Sequence, residues 1–185
     1  MNKQHVKNLT TAALMAGLVF AVTLVTGSLA AIGGGAYIHV GDAMVYIAAL
    51  VLPTPFAVLA AAVGAGLADL MLGSAIYIIP TVIVKSLVVI VAKGLMKFSE
   101  KPALQDLLIC ASGVVTVIGY YIAEVVILLV TGSEFKAAVF TGAANSIIFN
   151  IVQMLASAAV YMFIAGAVRK YNNKKQQPVQ AEDKM

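Results

Sequence analysis

Charge is scarce in this chain. Only 11% of its 185 residues are Asp, Glu, Lys or Arg, whereas 62% are hydrophobic and the mean hydropathy is +0.99. Soluble domains carry about 25% charged residues, so this chain lacks the polar surface to cover a water-soluble globule of its size. One compact helical membrane domain is the expectation. Cys110 is the single cysteine, which excludes an intrachain disulfide. The two histidines, His5 and His39, fall at opposite ends of the first apolar segment, which argues against a metal centre. No G-x-x-x-x-G-K-[ST] occurs, so ATP is not hydrolysed here through a P-loop, and Gly64-Ala65-Gly66 lacks the third glycine and preceding strand of a dinucleotide fingerprint. The net charge of +4 gathers at the ends of apolar segments, a membrane pattern rather than a nucleic-acid footprint.

What is present is a series of long apolar runs. A span needs about 20 apolar residues, and the runs lie near Leu9–Ile32, Asp42–Leu52, Thr54–Leu72, Ile76–Met96, Leu107–Thr131 and Ala137–Ala167. The second run is short, about 16 Å of helix, and either extends through Tyr37–Val40 or sits at an angle. Pro53-Thr54-Pro55 then breaks the backbone. The expected fold is an all-α integral membrane protein, a single bundle of six transmembrane helices formed by residues 1–171. A polar, charged tail, residues 172–185, is expected to be disordered and cytoplasmic. The first run is too long for a signal-peptide core and is read as helix 1. Lys3, Lys7, Lys93, Lys97, Lys101, Arg169, Lys170, Lys174, Lys175 and Lys184 fall on one side of this arrangement, and Lys136 alone on the other. Both termini are therefore expected in the cytoplasm.

Three ionisable residues interrupt the apolar runs: Asp69, Lys85 and Glu124. A charge at the bilayer centre costs roughly 2.5–3.5 kcal/mol on insertion scales, so such residues hold a ligand or one another. Counting from the outer helix ends places Asp69 about 6 Å deep, Lys85 and Glu124 about 10 Å, Asn145 about 12 Å and Asn150 about 20 Å. Separate helices thus deliver polar groups to one level. The structural alternative is an ion pair of Lys85 with Glu124 or Asp69. Of Tyr120 and Tyr121, within a turn of Glu124, one is expected to face the pocket, and Tyr121 stands among the candidate contacts. In the glycine-rich first outer loop, Tyr37 and His39 are candidate ligand contacts, whereas Asp42 is read mainly as a cap of helix 2. Two carboxylates against one ammonium suit a neutral or weakly basic ligand, and the absence of arginine from the spans disfavours one with several phosphates. In helix 1, the pairs Ala12/Ala16, Ala13/Gly17 and Gly17/Ala21 allow a second helix to approach closely.

The order of these features resembles the substrate-binding S component of an energy-coupling factor (ECF) vitamin transporter. The resemblance rests on the small-residue helix 1, YIHVGDAMVYIAALVL, GAGLADLMLG and PTVIVKSL, and covers roughly residues 9–168. It is strongest toward the hydroxymethylpyrimidine, pyridoxine or riboflavin-type branch. It implies a binder of a water-soluble vitamin, docked on a transmembrane coupling subunit driven by two cytoplasmic ATPase subunits. ATP would be used by those partners, with no cofactor on this chain. It further assigns docking to the helix 1 stripe of Ala12, Ala13, Ala16 and Gly17, and gating to the first outer loop. Thiamine-binding relatives stack their ligand on tryptophan, and this chain has none. Hydroxymethylpyrimidine or pyridoxine is the expected ligand, with riboflavin the alternative. A self-sufficient secondary transporter is a further reading, although the two halves show no convincing repeat. A membrane enzyme is disfavoured by the lack of a nucleophile–base or metal arrangement.

Overall fold

The computed structural model describes residues 2–29, 31–32, 36–37, 39–131 and 137–182; side chains are described for these except 31–32, 36–37, 137–139, 145, 168 and 171–182. Helix α1 runs Lys3–Leu29, α2 Asp42–Val51, α3 Thr54–Met71, α4 Ile78–Leu95, α5 Pro102–Ala111, α6 Val114–Val130 and α7 Ala137–Glu182. Between α1 and α2 lies a two-residue antiparallel pair, β1 (Ala31–Ile32) and β2 (Ala36–Tyr37), with Ala31 opposite Tyr37. It is the one departure from an all-helical chain among the described residues.

Five segments are long and apolar enough to cross a bilayer: α1, α3, the stretch Ala75–Phe98 around α4, α5 with α6 as one run, and α7 between Phe140 and Ala167. The protein is therefore a multi-pass membrane protein. Its outer surface agrees: Val114, Ile118, Ile122, Val126 and Val130 are exposed at four-residue spacing along α6, a stripe suited to lipid and not to water.

Proline and glycine set the breaks. Pro55 lies in the first turn of α3 and Pro102 opens α5, positions where a missing amide proton costs no helical bond. At the end of α3, Gly73 takes φ 75, and the amides of Gly73 and Ser74 return to the carbonyls of Leu70 and Asp69 at 3.3 and 2.8 Å. This is a Schellman closure, which a left-handed glycine makes without strain. The α5–α6 run breaks at Ser112-Gly113, where a Cβ on Gly113 would run into the Tyr46 hydroxyl and approach Met154 Cγ to 2.6 Å.

α2 is the centre of the bundle. Asp42 through Ala49 are all buried, and the helix packs against α1, α3, α4, α5 and α7. A helix apolar on every side has to be enclosed, and ten residues give it only about 15 Å, so by itself it does not cross the membrane. It is not extended through Tyr37–Val40, which are not helical at His39 and Val40. Instead the chain turns down alongside α1. The Val40 amide donates to Thr26 Oγ1 at 3.2 Å, and a Cβ on Gly41 would overlap Thr23 Oγ1. Thr23 lies six residues before the end of α1, so α2 starts about 9 Å below that end.

The most extensive helix pairing is α1 with α3. A Cβ on Gly64 would meet the Ala16 carbonyl at 2.5 Å and Val19 Cβ at 2.8 Å, so the small residues here allow backbone-to-backbone approach. Ala12, Met15, Val19, Thr23 and Gly27 form the buried face of α1, which makes this helix part of the core. At the end of the bundle near the N-terminus, Arg169 grips Asp106 through Nη2 at 2.8 Å and Nε at 3.0 Å. Tyr161 donates to the same carboxylate at 2.6 Å and stacks edge-on against Tyr46 of α2. This clamp ties α5, α7 and α2 together. The helical backbone of α7 continues to Glu182, past residue 171 where the sequence reading ended the bundle.

Candidate functional site

At the end where α3 passes into α4, a cleft of about 570 Å³, counted out to its open mouth, lies between α3, α4, α6, α7 and the segment before α2. Asp69 reaches it from the last turn of α3, just before the Schellman closure. A short 3₁₀ turn, Ala75–Tyr77, then presents Tyr77. Its hydroxyl donates to Glu124 Oε2 at 2.7 Å, linking the start of α4 to α6. One turn on, the hydroxyls of Thr81 and Tyr120 share a hydrogen bond at 2.9 Å. α7 contributes Ser146, Phe149, Asn150 and Gln153, a spacing of three and four that keeps them on one face.

His39 closes the cleft from the loop side and is buried. Its Nδ1 accepts the Gly41 amide at 3.1 Å. Burial pushes its pKa down to about 4, with Asp42 opposing and Lys85 reinforcing the effect. The imidazole is therefore neutral near pH 7. Because Nδ1 is an acceptor, the ring proton resides on Nε2.

Lys85 does not line the cleft. Its Nζ lies 2.6 Å from Asp42 Oδ1, with both side chains 1% exposed, and 5.0 Å from the centre of the Tyr120 ring. Thr116 Oγ1 at 3.4 Å and Gln153 Nε2 at 3.5 Å approach the other carboxylate oxygen of Asp42. This corrects two expectations. The partner of Lys85 is Asp42, not Glu124 or Asp69, and Asp42 is not a capping residue: Gly41 holds the N-cap position, with no side-chain cap bond. The physical reason is depth. The loop carries the start of α2 about 9 Å down, level with Lys85 about 10 Å along α4.

Of the other expected contacts, His39, Asp69, Glu124 and Asn150 are brought together in the cleft, and Tyr121 is not: the ring that faces it is Tyr120. The side chains of Tyr37 and Asn145 lie outside the described residues. Tyr77, Thr81, Tyr120, Ser146, Phe149 and Gln153 were missed by reasoning from charge alone. Their signal was helical spacing: 81/85 on one face of α4 with Tyr77 one turn before it, 120/124 on α6, and 146/149/150/153 on α7. The expected docking stripe divides. Ala12 is buried and Ala16 partly buried against α3, whereas Ala13 and Gly17 are exposed and a Cβ on Gly17 would meet nothing within 4 Å.

The lining carries two carboxylates, amides, hydroxyls, a neutral imidazole and aromatic rings, but neither Lys nor Arg. Among the described residues, no group of three or more His, Cys, Asp or Glu is placed to hold a metal ion. The sequence matches the family described as "ECF-type riboflavin transporter, S component" over residues 3–170. The chain belongs to this family. It is thus a vitamin-transport subunit and not an enzyme. Within the branch foreseen from the sequence, the match favours the riboflavin alternative over hydroxymethylpyrimidine or pyridoxine. No curated protein matches the chain at a significant level.

Proposed function

We propose that this S component captures riboflavin in the cleft between α3, α4, α6 and α7 and hands it to an ATP-driven importer. The observation that carries the reading is the family match, and the lining of the cleft supports it by bringing aromatic rings together with amide, hydroxyl, imidazole and carboxylate groups. A flavin's fused rings and polyhydroxyl chain match this mixture of aromatic faces and hydrogen-bonding groups. Phe149 and Tyr120 offer apolar faces to the ring system. Asn150 and Gln153 supply both donors and acceptors for its carbonyl and imide edge, and Asp69 and Glu124 accept from hydroxyl groups. The excess of Lys and Arg at the opposite end of the bundle favours an outward-facing mouth. ATP is hydrolysed by two cytoplasmic partner subunits, acting through a transmembrane coupling subunit. The exposed line Ala13–Gly17–Ala21 on α1 is the docking surface for that coupling subunit, replacing the Ala12/Ala16 half, which α3 already covers.

Quenching of riboflavin fluorescence by the purified protein tests the ligand. Riboflavin should bind, with pyridoxine and hydroxymethylpyrimidine about a hundredfold weaker or more. Preference for either single-ring vitamin would overturn the assignment.

A further inference from the structure

The Asp42–Lys85 pair lies directly behind the cleft, one side chain away from any ligand. Tyr120 lines the cleft and holds its ring face toward the Lys85 ammonium. Gln153 lines the cleft and points its amide at Asp42. Thr81 lies one turn before Lys85 on α4 and bonds the Tyr120 hydroxyl. An ammonium on a flexible four-carbon stem at this position is a natural partner for a phosphate unless another anion holds it. Here Asp42 does, at 2.6 Å.

We propose that Asp42 is a specificity-determining residue: by holding Lys85 in a neutral pair behind Tyr120, it leaves Asp69 and Glu124 as the charged groups lining the cleft. Uncharged flavin enters, and its phosphate ester is turned away. The proposal rests on reading the cleft as the riboflavin site. Replacing Asp42 by Asn uncovers one positive charge, which the lysine stem can bring toward the ligand.

The test is the ratio of dissociation constants for riboflavin 5′-phosphate and riboflavin, measured by fluorescence quenching on the purified protein. In Asp42→Asn the ratio should fall about tenfold or more, the size expected for one unit charge about 10 Å from another at an effective dielectric of about 20. In the double variant Asp42→Asn with Lys85→Gln, which removes both charges, it should return to the parent value. Loss of packing weakens both flavins together and does not move the ratio. If Asp42→Asn is not recovered folded, Asp42→Ser removes the same carboxylate with a smaller polar side chain, and the ratio should again fall. An unchanged ratio in the recovered single variant, or a ratio in the double variant as low as in Asp42→Asn, overturns the proposal while leaving riboflavin binding standing. A parent protein that binds neither flavin overturns the site assignment and this proposal with it.

Discussion

Lys85 and Asp42 show what a buried charge requires in a lipid-embedded bundle. Each is enclosed by apolar helices, and each is tolerated because the other is 2.6 Å away. Removing one partner of such a pair leaves an uncompensated charge and typically costs about 3–5 kcal/mol, whereas removing both is often close to neutral. Lys85→Gln should therefore melt well below the parent in detergent, and adding Asp42→Asn should recover most of the loss. A single variant as stable as the parent would show that water or another group already compensates Asp42. The sequence made it plain that Lys85 needed a partner and could not say which one. Counting residues from helix ends assigns depth correctly only where a helix begins at the membrane surface. Asp42 begins a helix that starts about 9 Å lower, because the loop folds back along Thr26 and Thr23. The Tyr120/Tyr121 ambiguity was a matter of rotation: two adjacent residues point about 100° apart on a helix, and the 77/81/85 and 120/124 spacing was the information needed to choose.

Among the elements, α1 carries two different small-residue faces one residue apart. Ala12 and Ala16 turn toward α3, where Gly64 allows the backbones to touch, while Ala13, Gly17 and Ala21 face outward. Their identical four-residue spacing explains why sequence alone grouped them. Composition cannot tell a stripe that packs inside the chain from one that awaits a partner. The two faces should respond differently to enlargement. Gly17→Leu should prevent co-purification with the coupling subunit while riboflavin binding by the isolated protein persists. Ala12→Leu should instead overpack the α1–α3 contact and destabilise the fold by about 1–3 kcal/mol. If Gly17→Leu assembles normally, docking uses another surface. The long spans were legible because their boundaries coincide with proline, glycine and lysine. The enclosed α2 was not, since ten apolar residues read the same whether a helix faces lipid or protein.

At the scale of the whole molecule, the two ends of the bundle are chemically distinct. One holds the cleft, the Schellman turn at Gly73 and the paired strands. The other holds the Arg169–Asp106–Tyr161 clamp, the turn Met96–Phe98 and most of the basic residues. Which end faces outward decides whether the cleft can take a vitamin from the medium. Lysine and arginine collect on the cytoplasmic side because translocating them is unfavourable, so the clamp end should lie in the cytoplasm and the cleft should open outside. In a Cys110→Ala background, Ala75→Cys at the cleft end and Glu100→Cys at the other end report this directly, since both positions are exposed. A membrane-impermeant maleimide added to intact cells should label the first, and the second only after the membrane is permeabilised. The reverse pattern would place the cleft mouth in the cytoplasm, where it would take its ligand from inside. An importer's capturing subunit cannot be built that way, because ligand must be bound on the side from which it is removed.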